Sequence, residues 1–523
     1  MESQHSARLG DGSLTRMMQS ELRADGEAGA AQPPVRRSAT RQEDSEHGPR
    51  APGGPRLRNH CPPAELLPAQ PGGDVVIARE HLAELKARED ADFVARHPRS
   101  RELFERAQAH MLDGVPMNWM TRWSSPFPPF VAEAHGARFT CVDGHEYIDF
   151  CLGDTGAMTG HSPNASVGAI AAQAARGITT MLPTEDSLWV AAELSRRFGL
   201  QYWQLALTAT DANRFAVRLA RHITKRPKIL VYNYCYHGSV DETIITINDG
   251  VPGPKPGNAG PPVDPIVTSK VIEWNDLPAL EEALAPGDVA CVLAEPALTN
   301  IGIILPDEGY HAELRRLTRE TGTLLIIDET HTICAGPGGC TQAWGLEPDM
   351  VTLGKPIGSG VPAAVYGFGQ AVADRIRAGW DYHAADECGV GGTLAGNMLS
   401  IAAVRATLGE VLTDEAYARM IPLAGRWADG VQAVIDEFAL PWVVKRLGCR
   451  AEYWPRPVPP RNGGEAAAAE DEELDRYLHL FMLNRGIIMT PFHNMALMAP
   501  QTTTADVDRH TELLREAART LTG

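Results

Sequence analysis

No phenylalanine, tryptophan or tyrosine occurs before Phe93, and aromatics make up only 6% of the 523 residues. The first 75 residues are rich in Gly, Pro, Arg, Glu and Ser instead. Such a stretch buries too little apolar area to offset the entropy of ordering it. Residues 1–75 are therefore expected to be a disordered extension. No apolar run is long enough to span a bilayer. The opening residues lack the charged start and apolar core of a secretory signal, and their many acids argue against a transit peptide. The nine cysteines are scattered, with no CxxC pair and no metal-ligand spacing. That pattern reads as reduced thiols in a cytoplasmic protein and lends a metal site no support. Nor is there a block of clustered Lys and Arg; the formal net charge is -18. Nucleic acid and anionic membranes are thus excluded as expected partners. No internal repeat is visible.

What is present is an ordinary globular composition, 44% hydrophobic and 22% charged, on a chain long enough for more than one domain. From about Ala78 to Met111 apolar residues recur at helical spacing. Phe130 to Phe150 alternates and turns at Asp143-Gly144, which predicts a small antiparallel meander. Short apolar runs follow at Ile229–Tyr232, Ala290–Ala294, Thr323–Ile327 and Met350–Leu353. They read as parallel strands covered on both faces by helices. The helices between them include Asp211–His222 and Gly309–Thr321, and a closing helix is expected at Ala505–Leu521. Two Pro/Gly-rich stretches, Gly250–Pro265 and Pro455–Gly464, are expected surface loops. The fold class is α/β, with ligands expected at the carboxyl ends of the strands. The expected division is residues 76–160 as the N-terminal part of a small domain, 161–415 as a large domain, and 416–523 as the rest of the small one.

Five motifs carry chemistry. The strand Leu324–Ile327 runs into Asp328, whose burial is costly without a cationic partner. A protonated pyridine nitrogen is such a partner, although Asp at a strand-to-helix turn also caps helices. Lys355 ends the next strand, 27 residues on, among small residues that allow close approach of a planar ligand. Burial favours a lysine's free amine, which can add to a carbonyl. Thr208, Ala209 and Thr210 lead into a helix whose free N–H groups suit a phosphate, or simply a capping turn. Tyr236-His237-Gly238 puts an aromatic after a strand, where it can stack on a flat heterocycle or sit in the core. Thr393 follows two glycines ahead of a helix, another place for phosphate oxygens.

This ordered set resembles the class III aminotransferases, pyridoxal 5'-phosphate (PLP) enzymes of fold type I, in the branch near glutamate-1-semialdehyde aminomutase and the β-amino-acid and ω-aminotransferases. The likeness runs from about Pro116 to the C-terminus. It rests on CVDGHEYIDF, TATDA, YHG, Glu295-Pro296, DET, TLGK and GTLAGN, in family order. It implies a large, mostly parallel-sheet domain and a smaller α+β domain built from both chain ends. It implies Lys355 as the Schiff-base lysine and general acid/base, with Asp328 on the ring nitrogen. Tyr236, with His237, and Thr330 would flank the ring. Thr208, Ala209 and Thr210 would hold the phosphate, and Thr393 the phosphate of a neighbouring subunit in a homodimer. Three positions depart from the family pattern: Thr-Ala replaces Ser-Gly in the phosphate loop, Asp211 replaces Glu, and Thr330 followed by His331 replaces the Val of DEV.

The segment Pro116–Phe130 matches the pocket-lining segment of related enzymes. There Arg122 is a candidate carboxylate clamp, flanked by Trp119 and Trp123, or a surface Arg beside core tryptophans. Asp154 and Thr155 are placed at the pocket, and Arg450 is a second candidate clamp. The expected activity is ping-pong transfer of an amino group between an amine or amino acid, including β- and ω-amino acids, and an oxo acid or ketone. The alternatives are an intramolecular aminomutase on the same scaffold and a non-catalytic protein that keeps the fold.

Overall fold

Runs of β-branched and aliphatic residues bury both faces of the central strands, and this sets the architecture of the computed structural model. It describes residues 77–260, 263–379 and 389–523; the expected extension at 1–75 lies outside them. Seven strands form the main sheet: β1 (Tyr202–Ala206), β2 (Lys228–Tyr232), β3 (Ser269–Ile272), β4 (Val289–Ala294), β5 (Leu324–Asp328), β6 (Met350–Leu353) and β7 (Ala364–Phe368). Their order is β1-β7-β6-β5-β4-β2-β3. Neighbours from β6 to β3 are parallel, and only β7 runs antiparallel to β6 and β1. Every residue of β4, β5, β6 and β7 is buried. Parallel strands need crossover connections, and helices such as α1 (Ala209–Thr224) and Tyr310–Thr321 supply them.

The four apolar runs predicted β2, β4, β5 and β6 to within a residue or two. β1, β3 and β7 were not expected from the apolar pattern. In β7, Gly367 leaves room for Trp203 of β1; a Cβ there would lie 2.6 Å from the indole. A glycine in a strand can mark such a close approach.

Smaller sheets collect residues from both ends of the described chain. The meander Val131–His135, Arg138–Cys141 and Glu146–Asp149 forms as expected, and Ile487–Ile488 joins it, parallel to Glu146–Asp149. Val443–Leu447, Arg450–Trp454 and Met495–Leu497 make a three-stranded antiparallel sheet. The stretch expected to be a loop from Gly250 instead opens with a strand, Val251–Pro254, that forms a hairpin with Ile245–Asn248. The helices Arg79–Arg96, Asp414–Phe438 and Thr504–Thr522 complete the picture. Among the described residues, no helix is long and apolar enough to cross a membrane.

Candidate active site

β5 and β6 are adjacent and parallel, with Asp328 paired to Thr352. Their carboxyl ends therefore bring Asp328 and Lys355 side by side, as an open α/β sheet does with functional groups. The backbone here is held in uncommon conformations. Lys355, Asp154 and Thr155 all have left-handed φ, at 49°, 49° and 79°. Non-glycine residues pay for this conformation, and such positions cluster at active sites.

Asp328 is buried and surrounded by donors. Its Oδ2 accepts from Asn213 Nδ2 (2.8 Å) and His237 Nδ1 (2.9 Å), and its Oδ1 from the Thr330 backbone N–H (3.0 Å). Asn213 also donates to the His237 carbonyl and accepts from Thr352 Oγ1 (2.6 Å), so α1, β6 and the Tyr236-His237-Gly238 turn are tied to one carboxylate. Gly238 lets that turn close on α1; a Cβ there would strike the Thr210 side chain. Burial works against a charged Asp328, but His237, Thr330 and Asn213 outweigh it and hold its carboxyl down at about 2. Burial likewise works against a charged His237, but Cys235 and Asp328 push it up to about 10.

This ion pair makes stability pH-dependent, and the two partners act in opposite directions. Asp328 contributes fully above its ordinary value of 3.8, and the contribution is lost as pH falls through about 2. His237 contributes fully below 6.5, and its contribution is lost as pH rises through about 10. Unfolding measured against pH should therefore show a plateau between these limits. His237→Asn should flatten the alkaline limb; an unchanged limb in that variant would assign it to other groups.

Lys355 Nζ meets Asp154 twice, at Oδ2 (2.8 Å) and at the backbone carbonyl (2.9 Å), and meets His331 Nε2 at 2.7 Å. On the other edge of its ring, His331 Nδ1 faces Thr155 Oγ1 (3.0 Å) and Arg450 Nη1 (3.2 Å). Burial opposes a charged Asp154, yet Lys355, His331 and Arg450 beside it hold its carboxyl far below the usual range.

Asp154 and His331 line a cavity of about 680 Å³ together with Trp119, Arg122, Tyr236 and Phe492. Trp119 packs edge-on to Tyr236, with ring centroids 5.2 Å apart, and Arg122 sits over the Phe492 ring. Two predicted positions, Trp123 and Arg450, fall outside this cavity. Trp123 packs against the cluster around Phe93 and Phe127 and lines a different cavity. Arg450 is fully buried, with Nη1 facing His331 Nδ1 and Nη2 donating to the Thr299 carbonyl (2.9 Å), and it is not among the residues that line this cavity. Thr393 is exposed in a turn before the helix Met398–Ala406.

The phosphate-loop residues begin α1: Thr208 caps it, accepting from the Asp211 N–H at 3.2 Å. The first N–H groups of a helix lack intrahelical acceptors, so Ala209 and Thr210 offer donors to an anion. The residues around Asp328 also fit a cationic ring nitrogen. A carboxylate has roughly four lone-pair sites; three are filled here, and the open one is on Oδ1. Beside it the buried Thr330 hydroxyl has no hydrogen-bond partner.

Sequence reading missed Asn213 and His331. For Asn213 the signal was a polar residue on the buried face of an amphipathic helix. For His331 it was the departure from the family pattern just after Thr330.

Fold and site together define a PLP-dependent enzyme of fold type I. The family model for class-III aminotransferases matches residues 119–428, and the chain belongs to that family. It is 32% identical to the glutamate-1-semialdehyde 2,1-aminomutase of Desulfitobacterium hafniense (strain DSM 10664 / DCB-2), over 81% of this chain and 98% of that one. Among solved structures it is similar to a glutamate-1-semialdehyde-aminomutase from Pseudomonas aeruginosa PAO1, at 50% identity and a TM-score of 0.83, covering 85% and 99% of the two chains. A lysine-to-alanine form of that protein was solved in complex with PMP. An omega-transaminase from Sphaerobacter thermophilus aligns at 26% identity and a TM-score of 0.76, over 82% and 100%. The chemistry is thus PLP-dependent amino-group transfer of the class III fold.

Proposed function

We propose that this chain is an aminomutase of the glutamate-1-semialdehyde type, exchanging amino and oxo groups within one substrate. The observation that carries this reading is the 50% identity to the Pseudomonas aeruginosa aminomutase over 99% of that chain. Bound PLP supplies an electron sink for the carbon that bears the amine. Lys355 would hold the cofactor covalently and would move the proton at the reacting carbon. Asp328, through its open lone pair, would keep the ring nitrogen protonated. Thr208, Ala209 and Thr210 would hold the phosphate, and Tyr236 and Thr330 would lie against the ring. Arg122, on the cavity wall, meets the substrate carboxylate, with Trp119 beside it.

The likeness to an omega-transaminase supports a second reading, intermolecular transfer. Turnover separates the two. Glutamate 1-semialdehyde should be consumed through many cycles with no added 2-oxo acid. A reaction that stops after one equivalent and resumes only when an oxo acid is supplied would replace the aminomutase with a transaminase.

A further inference from the structure

We infer that Asp154 is the counter-ion of the cofactor lysine: its carboxylate keeps positive charge on the Lys355 nitrogen, both before and after that nitrogen is joined to PLP. The backbone takes a rare path to bring the two together. Leu152, Gly153, Asp154 and Thr155 have φ of 46°, 57°, 49° and 79°, so four consecutive residues are left-handed and only one is glycine. L-residues visit this conformation singly, not in runs. A β-branched residue such as Thr155 is an outlier there. Strain of this kind persists only where the surroundings over-determine it. Here Asp149 Oδ1 accepts from the Leu152 N–H (2.7 Å), and the Leu152 carbonyl accepts from the Ala157 N–H (2.8 Å). Thr155 Oγ1 meets His331 Nδ1 at 3.0 Å. The result of the turn is convergence. The carboxylate and the carbonyl of Asp154 both reach one atom, Lys355 Nζ, at 2.8 and 2.9 Å.

The groups around Asp154 leave this pairing to Lys355. His331 Nε2 also lies at Nζ, but burial, and after it Lys355, push the imidazole well below its ordinary 6.5, so it brings no charge of its own. Arg450 is turned to His331 and the Thr299 carbonyl. Burial pushes the Cys151 thiol up to about 12 and the Tyr236 hydroxyl upward as well, so both are neutral near pH 7. Asp154 itself stays charged, and it stands on the wall of the cavity that would receive the substrate. A nitrogen joined to the cofactor by a double bond keeps at most one hydrogen, and holds its charge only with help. A carboxylate within about 4–6 Å gives that help. The protonated double bond is the form to which an incoming amine adds most readily, so the counter-ion would keep the loaded enzyme receptive at neutral pH.

The inference rests on Lys355 as the cofactor lysine, and its tests do not use turnover. Asp154→Asn removes the charge and keeps the shape, because Asn tolerates left-handed backbone as Asp does. The visible absorbance of the PLP-loaded full chain is recorded against pH. The band of the protonated form should titrate about 1–3 pH units lower in Asp154→Asn than in the wild type. Asp154→Glu, which restores the charge, should move the midpoint back toward the wild-type value. The full chain stripped of PLP gives a second readout. A lysine-directed acylating reagent at neutral pH should modify Lys355 about tenfold faster in Asp154→Asn. Mass spectrometry follows this, with the other lysines as internal reference. An unmoved midpoint, or Lys355 labelled no faster than in the wild type, would overturn the inference while a borohydride-reduced adduct on Lys355 kept the cofactor assignment intact. An adduct on another lysine would remove the Lys355 assignment and the counter-ion role together.

Discussion

Lys355→Ala should lower turnover by at least roughly a thousandfold, while the protein still takes up PLP and keeps its fold. Two functions are lost at once. The amine that forms the Schiff base is gone, and so is the group that carries a proton at the substrate carbon. A positioned acid/base alone contributes about a hundred- to ten-thousandfold. Retention of PLP is expected because the helix start at Thr208, Ala209 and Thr210 and the Asp328 carboxylate do not depend on Nζ. In the wild type, borohydride should bleach the visible band and leave its label on Lys355. In the variant the covalent label should vanish, and the free cofactor should come off on denaturation without reduction. Stability should fall somewhat: the left-handed backbone at 355 is unchanged, while the Asp154 carboxylate loses the Lys355 donor at 2.8 Å. A label found on a different lysine, or a variant that turns over within tenfold of wild type, would reassign the role.

Asp328→Asn should cost at least about a hundredfold in turnover. A charge-assisted hydrogen bond is worth about 1.5–3 kcal/mol, and each 1.4 kcal/mol or so is a factor of ten in rate. The amide cannot favour a protonated ring nitrogen, so electron withdrawal weakens in addition. There is a second consequence. His237 loses the carboxylate that helps hold its proton, and a buried cation without a counter-charge is costly. The substitution should therefore also destabilise the fold by about 1–3 kcal/mol, read by urea unfolding near neutral pH. The double variant with His237→Asn should regain stability and stay inactive. That pattern would separate the electrostatic duty of Asp328 from its packing. Near-normal turnover in the single variant would reduce Asp328 to a structural acceptor.

What could be read from the chain alone follows from where each element lies. β2, β4, β5 and β6 are largely or wholly buried, so their residues are almost uniformly apolar and stand out. β1 and β3 lie at the two edges of the sheet and carry polar residues, such as Gln204 and Lys270, that blur the signal. β7 is wholly buried, yet Gly367 and the glycines before it made the region look like a loop. The site divides the same way. Asp328 and Lys355 were legible because each ends an apolar strand. Arg450 was named as a second candidate clamp but its partner was not, since only folding brings it to His331. Trp123 looked equivalent to Trp119 in the sequence; the turn at Asn118–Thr121 sends the two rings to different cavities. Asn213 could not be assigned without the tertiary fold, because its three bonds reach three separate segments.

The small sheet that joins Glu146–Asp149 to Ile487–Ile488 imposes a timetable on synthesis. Ile148 emerges from the ribosome about 340 residues before its partner Ile487. Loop closure over such a distance is entropically expensive and slow. The main sheet can be complete once Phe368 has emerged, since its seven strands lie between Tyr202 and that residue. The meander, by contrast, must wait with one edge bare. For most of translation that edge is open to pairing with other strands, as unprotected edges are. A nascent chain arrested before residue 487 should therefore engage holding chaperones through the meander rather than through the main sheet.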